Sequence, residues 1–348
     1  MHLASGLMGL FGRKRNVIGL DVGSGFVKIV VVDHSGDQPE VVRVAVRPLP
    51  LDAIVEGEIM DYGLVSDAVM GLFQSLGMRG AEVVTAVGGP GVIIKKIEMD
   101  RTKDSDAREA IKWEAELHVP FDTKSVELDF QILDPNGDGL QMEVLLVAAK
   151  RELLDNKIGL LQDAGVEPIV IDVDAFALHN AFEYNYPDAQ DGIVGLVNVG
   201  HETTNVSILE NGVLILTRDI PFGSRKIRED LQRGRGLTAE QAESVVQGRE
   251  AAIDLESFVQ ISADEVAVGI EHASAFLGDG NTVGRIFLSG GGARIPGLSQ
   301  TLATRMGVDT EIVNPFERIP VRSDAAVGLS LDESAPMLLL PLGLALRA

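Results

Sequence analysis

The 348-residue sequence predicts an α/β protein of two lobes built on a duplicated unit, with a small α/β subdomain inserted in the first lobe. Three observations predict it. Two β-branched runs around a tight glycine turn open the chain at 17–33, and the pattern returns at 193–209. Each time a third strand and a helix follow, which reads as an internal duplication of architecture. Between the two copies, 92–149 reads as strand, helix, strand, strand, a compact insertion.

Composition sets the outer bounds. Hydrophobic content is 45% and charged content 24%, normal for a globular protein. The net charge of -22 leaves little attraction for nucleic acid and favours basic partner segments. With no cysteine, disulfides and thiolate metal sites are excluded, and a reducing compartment is the default. No apolar run reaches the length of a membrane span. The extension 1–15 carries Leu3, Leu7, Met8, Leu10 and Phe11 before Arg13, Lys14 and Arg15. It reads as a frayed terminus packed on the nearest sheet, with a short interfacial anchor as the alternative.

The elements follow in order. The first lobe begins at 16–91: the hairpin, a third strand at 40–46, a helix at 61–78 with Val65, Ala68, Val69, Leu72 and Leu76 at spacings of three and four, and a strand at 82–87. The insertion is 92–149; its helix at 105–118 has an N-cap at Asp104 or Ser105, stops at Pro120, and carries the single tryptophan, Trp113, expected in the subdomain core. The first lobe resumes at 150–190 as helix, buried strand and helix, and 184–192 is a candidate hinge. The second lobe is 191–330, with Asn211-Gly212 as a hairpin turn, a helical subdomain near 234–280 capped at Thr238, and a buried strand at 285–288. The leucine-rich tail within 331–348 is too short for a membrane span and reads as a buried helix returning to the first lobe.

Three glycine turns end buried strands: Gly23-Ser24-Gly25, Gly200 with Thr203-Thr204, and Gly290-Gly291-Gly292. Glycine at a turn lets backbone N–H groups approach a ligand closely. Asp21 and Lys28 sit on the first hairpin, and an acid, a glycine nest and a lysine suit a nucleotide phosphate with its magnesium. Taken alone, that hairpin fits an ordinary glycine-rich turn with a capping aspartate better. Three such turns in this order point to phosphates gripped from two lobes, with the third turn beside adenine and ribose.

Three segments carry a resemblance. Ile-Gly-Leu-Asp-Val-Gly-Ser-Gly-Phe-Val-Lys at 18–28, Leu-Val-Asn-Val-Gly-His-Glu-Thr-Thr-Asn-Val at 196–206, and Phe-Leu-Ser-Gly-Gly-Gly-Ala-Arg-Ile-Pro-Gly-Leu at 287–298 resemble the two phosphate motifs and the adenosine motif of the actin-like ATPase superfamily. Segments at 112–121, 144–151, 172–178, 218–223 and 343–347 are similar to the PilM family of type IV pilus assembly proteins, itself similar to the divisome protein FtsA.

The resemblance implies an actin-like, ribonuclease H-like duplicated fold with an FtsA-like small subdomain, and ATP or ADP with Mg2+ between the lobes. It implies nucleotide contacts from Asp21, Gly23, Ser24, Gly25, Phe26 and Lys28, from Gly200, Thr203 and Thr204, from Gly223, Lys226 and Glu229, and from Gly290, Gly291, Gly292 and Arg294. Asp21 and Asn198 are the implied metal residues, acting through water. Position 198 departs from the superfamily, which usually has aspartate there; asparagine supplies no charge, and fast hydrolysis is not expected. Asp174 matches the place of a water-orienting residue, with a helix N-cap as the alternative. His201 and Glu202 read as exposed turn residues, with replacement of the charge missing at position 198 as the alternative. The implied partner is the N-terminal cytoplasmic peptide of PilN, extended in a groove beside the small subdomain, together with other pilus-machine proteins. The implied location is cytoplasmic, at the inner-membrane face through that partner; self-association stays open. The rival readings are an active ATPase or sugar kinase and an actin- or FtsA-like filament.

Overall fold

The computed structural model describes residues 16–347 except 51, 56, 136, 248, 250–254, 276, 278–280 and 327. The extension 1–15, with its anchor reading, lies outside the described residues.

The first lobe opens with β1 (Asn16–Val22), β2 (Phe26–Asp33) and β3 (Glu40–Pro48), an antiparallel meander. A two-stranded ribbon, β4 (Ile54–Val55) and β5 (Glu58–Ile59), leads to α1 (Tyr62–Ser75). Asp61 caps that helix by accepting from the Leu64 N–H at 2.9 Å. Strand β6 (Glu82–Val87) then runs parallel to β1. The insertion comprises β7 (Val92–Asp100), α2 (Asp104–His118), β8 (Val126–Ile132) and β9 (Gln141–Lys150). Helix α3 (Arg151–Asp163), β10 (Glu167–Val173) and α4 (Asp174–Asn185) complete the lobe.

The second lobe repeats the meander as β11 (Ile193–Val199), β12 (Thr204–Glu210) and β13 (Val213–Ile220). Helices α5 (Ser224–Arg235), α6 (Ala239–Val246) and α7 (Glu256–Ser274) follow, then β14 (Arg285–Ser289), α8 (Leu298–Met306) and β15 (Asp309–Ile312). Thr238 caps α6 as expected and forms a full capping box with Gln241. The chain ends with α9 (Leu331–Ser334) and α10 (Leu339–Ala345).

The strands form one sheet of order β10-β6-β1-β2-β3 and another of order β15-β14-β11-β12-β13-β7-β9-β8. The inserted subdomain therefore extends the second lobe's sheet, meeting it where Lys95 of β7 pairs with Leu216 of β13. Alternation within the sequence does not reveal that seam, because it is a pairing between distant strands. Helices α4 and α10 fill the space between the two main sheets, with Leu178, Phe182, Leu342 and Leu344 packed among Val30 and Val84 of one lobe and Leu196 and Phe287 of the other. The tail is thus the buried helix its length demanded. Its Gly343 is required: a Cβ there would strike the Ala177 carbonyl of α4.

Two expectations in the subdomain are corrected. The α2 N-cap position is Lys103, and the helix begins at Asp104. Trp113 is not core; it is 71% exposed, and Leu117 is 78% exposed. Ala107, Ile111 and Ala115, spaced by four, take the buried face instead.

Candidate functional site

The strands β1, β6, β10, β11 and β14 all end at one interlobe cleft of about 1000 Å3, open solvent included. Carboxyl ends of strands are where open α/β sheets place their ligands. From the first lobe, Asp21, Gly23, Ser24, Gly25, Phe26, Lys28 and Asp174 line it; from the second come Asn198, Gly200, Thr203, Gly290 and Gly291. All three glycine turns therefore converge, joined by Gly88 and Gly89 after β6.

Strand register explains the first cluster. Asp21 and Lys28 are directly opposed across β1 and β2, and their side chains form an ion pair. The Gly23 N–H donates to the Phe26 carbonyl at 3.1 Å and closes the turn. The second turn closes similarly, the Gly200 N–H donating to Thr203 at 2.9 Å. Gly290 has φ +85°, and a Cβ on it would meet the Val199 carbonyl.

Other expected residues stand outside the lining. Thr204 is fully buried and donates its hydroxyl to the Phe222 carbonyl at 2.8 Å. Gly223 backs the second turn, where a Cβ would strike the His201 carbonyl. Lys226 pairs with Asp230 at 3.4 Å. Glu229 is held by Arg225 and Arg233, each at 2.8 Å, and Arg225 first among its neighbours keeps its carboxyl below the usual range. Gly292 packs on Val199, and Arg294 ends the 3-10 turn Gly291–Arg294.

The structure adds residues the sequence reading missed. Asn205, Thr217 and Asp219 line the cleft opposite Asp174. Burial pushes the Asp219 carboxyl up, against a hydrogen bond from Asn205. Asp174 opens α4 with no side-chain capping bond, so the N-cap alternative is not realised. Burial, then the Asp21 charge, pushes its carboxyl up to about 7. Lys157 of α3 lies within reach of both charges, while burial pushes its ammonium down. His201 is not an exposed turn residue: its ring packs on Gly25 of the opposite lobe, where a Cβ would come within 2.9 Å of Cγ. Burial, then Arg228, pushes its pKa down and keeps the ring neutral near pH 7. Glu202 is likewise drawn in, accepting from Arg225 Nη1 at 2.6 Å. Only a fold that juxtaposes the two lobes makes these positions legible.

A second cavity of about 710 Å3, also open to solvent, lies between β8 and β10, one edge strand from each of the two sheets. Leu128, Phe130, Leu145, Ile171 and Phe176 give it apolar walls, and Glu127 and Asp129 an acidic rim. Asp172 at its floor is buried and ion-paired with Arg347. Val173 belongs to the walls of both cavities.

Among the described residues, no helix is long and apolar enough to cross a membrane. The chain is similar to a solved PilM-PilN type IV pilus biogenesis complex, with a TM-score of 0.84 and 28% identity over 97% of this chain and 99% of that one. The ethanolamine utilization protein EutJ from Carboxydothermus hydrogenoformans shares the fold at a TM-score of 0.58 and 18% identity, over 96% of this chain and 90% of that one. Cell division protein FtsA of Bacillus subtilis (strain 168) is 23% identical over 252 residues, which is 66% of this chain and 56% of FtsA, so the chain spans little more than half of that curated relative. A family model described as Type IV pilus assembly protein PilM matches residues 19–348, and the chain, with its actin-like fold, belongs to that family.

Proposed function

We propose that the chain is an ATP-binding scaffold of the type IV pilus inner-membrane assembly complex, with slow hydrolysis, which holds the N-terminal cytoplasmic peptide of a PilN-type partner. The observation that carries the nucleotide reading is the convergence of three glycine turns from two lobes on the Asp21–Lys28 pair. The donor set fits a polyphosphate: backbone N–H groups at Ser24 and Gly25, the Thr203 hydroxyl, and the Lys28 ammonium. One carboxylate, Asp21, and the Asn198 amide fit a magnesium ion that keeps most of its water. Bound nucleotide supplies the anionic charge that Lys28 and the glycine turns are arranged to meet.

The partner reading rests on the second cavity. An extended peptide there has two open strand edges for main-chain hydrogen bonds and apolar pockets for alternate side chains. The acidic rim and the net charge of -22 favour a basic segment, as would lie next to a membrane surface. Peripheral placement at the inner membrane then follows from the partner.

Fluorescent ATP titration tests the first half. Lys28→Ala removes a charged hydrogen-bond donor and is expected to weaken binding about tenfold or more. Native chain that binds no ATP ends the nucleotide reading. Anisotropy of a labelled PilN N-terminal peptide tests the second half, with Leu128→Asp in the groove expected to abolish binding. Undiminished peptide binding by that variant would move the partner elsewhere.

A further inference from the structure

The duplicated hairpins match in register but not in charge. Asp21 faces Lys28 across β1 and β2, and Asn198 faces Asn205 across β11 and β12. The first lobe therefore has an ion pair where the second has two amides. One strand further on, the asymmetry reverses. Lys28 faces Val46 on β3, whereas Asn205 faces Asp219 on β13. The carboxylate missing from the first strand of the second meander stands on its third strand.

Side-chain hydrogen bonds join this row in two pieces, β14 to β11 and β12 to β13, with backbone pairing between β11 and β12. Ser289 Oγ donates to Asn198 Oδ1 at 3.2 Å. Ser207 Oγ donates to Asn205 Oδ1 at 2.9 Å, which turns the Asn205 amide nitrogen toward Asp219 Oδ1 at 3.0 Å. Asn198, Asn205 and Asp219 line the same cleft wall, and Asp174 lines it from the other lobe. A half-buried carboxylate carries a desolvation cost, so an acid held here by the neutral Asn205 amide has the environment of a functional group.

We propose that Asp219 is the second lobe's acid at the phosphate end of the nucleotide, and that with Asp174 it holds the water that attacks the terminal phosphate. The inference rests on the nucleotide reading above. The water oxygen forms a bond to the γ-phosphorus while the bond to the β–γ bridging oxygen breaks and leaves its electron pair on ADP. One water proton passes to the Asp174 carboxylate, and the other leaves on inorganic phosphate. Asn205 is a positioning residue that fixes the Asp219 carboxylate.

The test compares affinity for fluorescent ADP alone with affinity for ADP plus aluminium fluoride, which mimics the phosphoryl group in transfer. Native protein is expected to bind the second combination more tightly. Asp219→Asn keeps ADP affinity within about twofold, loses about tenfold or more of the aluminium fluoride gain, and slows phosphate release with KM unchanged. Asn198→Asp placed on Asp219→Asn restores part of both, because the carboxylate returns to the first strand. Circular dichroism confirms that the variants fold. If native chain fails to bind ADP, the nucleotide reading falls. If ADP binds but aluminium fluoride adds nothing, or if Asp219→Asn matches native protein in both measurements, or if Asn198→Asp fails to rescue it, the present proposal falls alone.

Discussion

Arg225, at the start of α5 in the second lobe, reaches Asp52 in the first, with Nη2 2.6 Å from Oδ1. The same guanidinium contacts Glu202 at 2.6 Å and Glu229 at 2.8 Å, so one side chain ties the second glycine turn, the α5 helix and the opposite lobe together. Asp52 is 64% exposed, and the cross-lobe part of this clasp is a surface ion pair worth roughly 0.2–1 kcal/mol. Asp52→Ala is therefore expected to raise the ATP dissociation rate no more than about fivefold. Stopped-flow displacement of fluorescent ATP measures this, and Arg225→Ala should exceed Asp52→Ala because it also removes the Arg225 contacts to Glu202 and Glu229. Identical rates in all three proteins would mean that the clasp has no part in lobe closure.

The Asp174 carboxyl, pushed up to about 7 first by burial and then by the Asp21 charge, makes stability depend on pH. Between about pH 4 and pH 7 the folded chain keeps a proton that the unfolded chain releases. Stability from this group therefore falls as pH rises through that window and is level above it. Asp174→Asn removes the charge while keeping the shape. Its Tm is expected to exceed native by a few degrees at about pH 8, with the gap narrowing at about pH 5. Parallel thermal melts at the two pH values check it; a gap that widens on acidification contradicts the assignment.

Trp113 stands clear of the subdomain core, 71% exposed on α2. Trp113→Ala should change unfolding free energy by no more than about 0.5 kcal/mol, as for surface positions generally. The native emission should be red-shifted and readily quenched by iodide. A blue-shifted, protected emission would show that this face of α2 is covered in solution.

Trp113 also marks where the sequence misleads. Its size argued for burial, but the helical period gives that role to Ala107, Ile111 and Ala115. What is local was legible: the two meanders, the Thr238 cap, the glycine turns and the buried tail all follow from turn chemistry and apolar spacing. The Asp21–Lys28 pair was legible too, because one hairpin brings its members together. Asp219 in the cleft wall and Lys157, within reach of the Asp21 and Asp174 charges, were not, since each is placed there by contacts between segments far apart in the chain. Asn198 was read as a lost charge; only the register of β12 with β13 shows an acid two strands away.

The shared wall between the two cavities leads to a prediction about coupling. Strand β10 ends in Asp172 and Val173, and Asp174 follows as the first residue of α4; Asp172 lines the groove, Asp174 the interlobe cleft, and Val173 both. A ligand that shifts this strand end in one cavity reshapes the other, and β10 is an edge strand held on one side only, by β6. Peptide affinity is therefore expected to differ between ATP-loaded and nucleotide-free protein by about 5- to 150-fold, the usual range of such coupling. Linkage requires ATP affinity to change by the same factor when peptide is present. Val173→Ala trims the common wall without touching either set of polar contacts, so it should shrink that factor more than it changes either affinity alone. Titrating labelled peptide with and without ATP, and labelled ATP with and without peptide, measures all four affinities. Equal peptide affinities in the two nucleotide states would uncouple the cavities and leave two independent binding sites on one scaffold.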